Sequence, residues 1–75
     1  MSVMPTRAQV ERLRREYPAG TRLELVEMDD PFTSLRRGDK GTVQGVDDLG
    51  QIMMKWDKGS SLSLIPGHDQ FRRAE

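Results

Sequence analysis

Cysteine is absent from the 75 residues, which excludes disulfide staples and any metal site built on thiolates. Histidine occurs once, at His68, so no histidine-built zinc site can form and no serine, histidine and aspartate set is more than accidental. Aromatic residues make up only 5% of the chain, so Tyr17, Phe32, Trp56 and Phe71 must serve both the core and any contact surface. No stretch approaches the roughly 20 apolar residues of a membrane span. The segment Met1 to Pro5 lacks the basic-then-apolar run of a signal peptide, and the cytoplasm is the expected address. Net charge is missing too. Twelve basic and twelve acidic residues cancel, which argues against the strong field of a non-specific nucleic-acid binder.

What is present points to a folded domain. Apolar residues are few at 35%, but valine, leucine and isoleucine recur at regular spacings between charges of both signs, unlike the one-signed blocks of a disordered chain. The length allows one domain with one modest core. Residues 1–20 carry a net charge of +2 and residues 21–75 a net charge of −2, so neither part dominates.

The first element reads as a short helix within residues 1–20. Thr6 and Gln9 have the spacing of a capping box, and Pro5 is placed to pack on Val10. Val10, Leu13 and Tyr17 form a narrow apolar stripe, while Glu11 with Arg15 and Arg12 with Glu16 are spaced for surface pairing. Pro18 and Gly20 end the helix, which is too short to stand without a surface beneath it.

From Thr21 the period changes to two. Leu23 and Leu25 alternate with Arg22 and Glu24 up to about Met28, a half-buried strand. Residues 29–38 have turn formers at both ends and Phe32 and Leu35 within, the pattern of a long ordered loop. Lys40 to Val46 is the second strand, with Gly41, Val43 and Gly45 on one face. Asp47 to Gly50 is a hairpin connection, after which Ile52, Met54 and Trp56 share one face of a third strand. A fourth strand around Leu62 and Leu64 and a last short one near Phe71 complete the pattern. Five short strands joined by Gly- and Asp-rich turns predict a mainly β fold: a small SH3-like five-stranded barrel over residues 21–75, with the amphipathic helix of residues 1–20 packed on it.

Several ordered pieces carry a family likeness: Y-P-A-G-T-R at Tyr17 to Arg22, M-D-D-P at Met28 to Pro31, G-D-K-G-T-V-Q-G-V-D-D-L-G at Gly38 to Gly50, W-D-K-G-S-S-L at Trp56 to Leu62, and I-P-G at Ile65 to Gly67. In these the run from Tyr17 to Phe71 resembles a bacterial and phage family known as domain of unknown function 4314. The resemblance implies no particular activity. Similar proteins occur in phages and mobile elements, which implies an accessory or host-interaction role. A shorter likeness, confined to Lys40 to Trp56, is to the KOW-type hairpin of transcription and translation factors.

The candidate sites divide by partner. For a protein partner, the residues are those of the long loop and adjoining turns: Asp29, Asp30, Phe32, Arg36, Arg37, Met53, Trp56 and Asp57. Phe32 and Trp56 are the best aromatic pair for such a contact, although Trp56 also reads as core. For nucleic acid, the residues are Arg7, Arg12, Arg14 and Arg15 on the helix, with Lys40. Glu11 and Glu16 interrupt that helix face, which also reads as an ordinary solvated one. The pairs Asp29 with Asp30 and Asp47 with Asp48 lack calcium-loop spacing and read as turn caps, as does Asp57. His68 reads as a surface turn residue. No acid, base and nucleophile are assembled and no cofactor motif is present, so the expectation is a non-enzymatic protein-binding module, with a nucleic-acid or ribonucleoprotein binder as the alternative.

Overall fold

The computed structural model describes residues 5–28, 30 and 32–74. Helix α1 spans Arg7–Glu16, and the strands are β1 (Arg22–Glu27), β2 (Lys40–Val46), β3 (Ile52–Trp56) and β4 (Gln70–Arg73). The helix begins where its cap chemistry dictates. The Thr6 hydroxyl accepts the Gln9 backbone N–H at 3.1 Å, and Gln9 Oε1 accepts the Thr6 N–H at 2.7 Å. Two otherwise orphaned donors are thereby satisfied. Tyr17 is the C-cap, immediately before Pro18. Val10 is buried, while Leu13 and Tyr17 pack against the core. The ion pair on the helix is Arg7 with Glu11, at 3.6 Å, instead of either expected pair.

The strands form a four-stranded antiparallel sheet in the order β3-β2-β1-β4. Its inner face carries Leu23, Leu25, Val43, Ile52, Met54 and Trp56, all buried, and Val10, Leu35, Val46 and Leu64 complete the core. Arg22, Glu24, Lys40, Thr42, Lys55 and Arg72 alternate to the other face, as a period of two requires. A register shift between Val43 and Gly45 moves the alternation on by one, so Val46, and not Gly45, returns to the core.

Gly41 lies opposite Trp56 in the ladder. A Cβ there would sit 3.0 Å from the Lys55 carbonyl oxygen, the Trp56 Cα and the indole Cε3. The missing side chain is the space the indole occupies.

The expected five-stranded closed barrel is corrected to this open four-stranded sheet. The segment around Leu62 and Leu64 contributes one bridge, in which Ile52 and Leu64 exchange N–H to carbonyl bonds at 2.8 and 2.9 Å. The ladder stops there for two reasons. The Leu62 carbonyl accepts the Trp56 indole N–H at 2.8 Å, and Pro66 has no backbone donor. Among the described residues the segment bridges β3 at Ile52 and runs on through the Pro66 to Asp69 bridge, and no continuous ladder joins the β3 edge to the β4 edge.

Candidate functional site

The chain between β1 and β2 is held from several directions. Leu35 is buried, and Gly38 donates to the Leu25 carbonyl at 2.8 Å, as Leu25 does to that of Asp39. Asp39 Oδ2 accepts both the Arg36 backbone N–H at 2.7 Å and Lys58 Nζ at 2.9 Å. Lys58 also reaches the Ser34 carbonyl at 3.0 Å, tying the β3 turn to the loop. The Arg36 guanidinium folds back onto the carbonyls of Thr33 and Leu35. Asp30 Oδ1 accepts the Phe32 N–H at 2.9 Å, the Asx turn expected of that residue. On this braced base Phe32 stands 94% exposed, the most exposed large apolar side chain described. Asp29 lies outside the described residues, and Arg37 is exposed beside Gly38.

Asp39, Asp57 and Glu24 have their carboxyls held below the usual range by basic partners. Donation from Lys58 and from the Arg36 backbone holds Asp39 below the ordinary aspartate range. Asp57 accepts a two-pronged bond from Arg22, at 2.7 and 2.6 Å, and is lowered by it. Glu24 is lowered by Arg72, which donates to Glu24 Oε2 at 2.6 Å. The side chain of Asp57 thus clamps β1 to the β3 turn, a role its turn position did not disclose.

The structure does not bring Phe32 and Trp56 together as a surface. Trp56 is 1% exposed, with its one donor satisfied by Leu62, so the reading of it as core holds and its place among the partner contacts is corrected. Met53 is exposed on the opposite side of β3 from Trp56, where it lines a small depression with Tyr17 and Pro18.

The helix arginines serve different ends. Arg14 donates to the Val46 carbonyl at 3.1 Å and to Asp48 Oδ1 at 2.8 Å, pinning α1 to the far end of β2. Arg7 pairs with Glu11. Arg12 borders a groove, and Arg15 is exposed. Lys40 begins β2 at the end away from Val46, about 20 Å along an extended strand, so Arg14 and Lys40 are not neighbours.

That groove, of about 670 Å³, runs between α1 and the turns after β2 and Leu64. Leu13, Leu49, Ile65 and Pro66 give it apolar walls, and Arg12, Glu16 and His68 stand at its rim. Its exposed Leu49 and Ile65 were not singled out from the sequence. The available signal was an apolar residue, Leu49, inside an otherwise polar turn. Among the described residues no group of three or more His, Cys, Asp or Glu could hold a metal ion, and no helix is long and apolar enough to cross a membrane.

Sheet, front helix and braced loop define a small, mainly β domain. The family model described as Domain of unknown function (DUF4314) matches residues 6–74, from the N-cap to one residue past β4, and the chain belongs to that family. No curated protein and no solved structure matches it.

Proposed function

We propose that the protein is a non-enzymatic protein-binding module that docks its partner on the loop between β1 and β2. The observation that carries this reading is Phe32: a large apolar side chain held in water by a loop whose base is buried through Leu35 and cross-tied by Lys58 and Asp39. An exposed aromatic ring has a large apolar area to bury against a partner, which is the property of an interface anchor. Arg36 and Arg37, both exposed, add charge to the same loop, as the rim of an interface does. The resemblance to a family of phages and mobile elements implies an accessory role within such an element.

The nucleic-acid reading gains nothing comparable, because Arg14 is committed to Val46 and Asp48 and lies far from Lys40. Affinity capture with the full chain tests the choice. A specific protein retained after nuclease treatment by the wild type and lost by Phe32→Ser supports the proposal, provided both unfold at the same urea concentration. Capture that disappears with nuclease and falls steeply with salt overturns it.

A further inference from the structure

β4 is the last strand of the sheet, with β1 as its neighbour. Ala74 donates to the Arg22 carbonyl at 3.0 Å. Bonding residues alternate along an antiparallel pair, so Arg72, in register with Glu24, also turns its backbone towards β1. Phe71 and Arg73 are in register with Leu25 and Leu23 and must turn theirs away. The other side of the ladder agrees: Leu25 N–H and C=O point to Asp39 and Gly38, on the β2 side. The outer edge of β4 therefore presents the N–H and C=O groups of Phe71 and Arg73, the template on which another strand can be added.

The side chains at that edge select the occupant. Arg72 and Arg73 are consecutive and project to opposite faces, so an added strand meets a guanidinium on each. Both are exposed. Arg72 uses two of its nitrogens on Glu24, and Arg73 uses one on the Glu16 carbonyl while lying over the Tyr17 ring, so each keeps donors to spare. A second copy pairing by its own β4 would set arginine against arginine. We propose that the open edge of β4 takes up an acidic, extended peptide segment of another protein as a fifth strand, with carboxylates beside Arg72 and Arg73. This surface is separate from the Phe32 loop.

The test uses the full chain with a synthetic peptide of alternating glutamate and valine, and one of lysine and valine for comparison. The acidic peptide should bind, slow amide exchange at Phe71 and Arg73, and leave Phe32→Ser unaffected. Arg73→Ala removes the side chain alone, whereas Arg73→Pro also removes the outward N–H without touching the ladder to β1. The proline variant should bind about tenfold more weakly than the alanine variant, as loss of a backbone hydrogen bond demands. Equal binding by both variants, equal binding of the two peptides, protection elsewhere than β4, or concentration-dependent dimerisation through β4 would overturn the proposal. If the proline variant fails to fold, amide protection in the wild type decides alone.

Discussion

The connection from β2 to β3 runs from Asp47 to Gln51, while that from β1 to β2 runs through residues 28–39. Both open with aspartate chemistry, and they are held by different means. In the short one, Asp47 Oδ1 accepts the Leu49 and Gln51 N–H groups, each at 2.9 Å, and Gly50 takes a φ of +80°, so neighbours in sequence settle the shape. In the long one, Leu35 must reach the core and Lys58 must arrive from beyond β3. A turn made locally persists as long as its residues do. A loop made by tertiary contacts can open while the sheet stays intact, and it can hold a ring in water that no local rule would place there.

The largest expected effect falls on the hairpin that the short turn closes. Trp56→Ala empties the space opposite Gly41 and should cost about 3–5 kcal/mol, most of the stability of a domain this small. A urea midpoint close to that of the wild type would show that the hairpin is not the rigid member of the pair.

Leu35→Ala sharpens the contrast from the other side. A buried leucine truncation removes about 2–5 kcal/mol when the whole molecule feels it. If the loop opens separately, the global loss should be at the bottom of that range, with faster amide exchange at Gly38 and unchanged exchange in β2 and β3. Uniform acceleration across the sheet would mean the loop and sheet are one cooperative unit.

Gly50→Ala should destabilise by about 1–2 kcal/mol through the left-handed backbone alone. A further increment comes from the Cβ, which would lie 2.9 Å from Pro5 Cγ. Gly38, at φ +94°, has nothing within 4 Å of its missing Cβ, so Gly38→Ala should cost less, by thermal melting. The reverse order would contradict the packing of the short turn against the start of α1.

The smallest effect is on pH dependence. Glu24, Asp39 and Asp57 have folded pKa values below their unfolded ones, so their contribution is complete above the unfolded carboxylate range, at about 4. It is lost as pH falls through the lower folded values. Urea midpoints should drop from about pH 4 downwards, and less so in Asp39→Asn and Asp57→Asn. These pairs are solvent-exposed, and salt should shrink the difference.

Strand β2 is legible from the sequence to the residue and β3 to within one, because period two and bounding glycines are local signals. The Thr6 capping box was legible for the same reason. The register shift after Val43 was not, since it depends on how β2 meets β3. Nor was the loss of the expected fourth strand, where the Trp56 indole takes the Leu62 carbonyl from across a turn. Among site residues, the ordered loop could be read from the turn formers around Phe32 and the core place of Trp56 from its alternation with Ile52 and Met54, but the bracing by Lys58 could not, because it is settled by a contact between separate segments.

The pairing of β1 with β4 joins Glu24 to Arg72, 48 positions along the chain. As the polypeptide emerges from the ribosome, the β2–β3 hairpin can close early, but one side of β1 waits for the last strand to be synthesised. Such distant closure makes folding slower than in a helical chain of similar size. In that interval the unpaired side of β1, with Leu25 not yet covered by Phe71, is a part of the nascent chain exposed to misassociation.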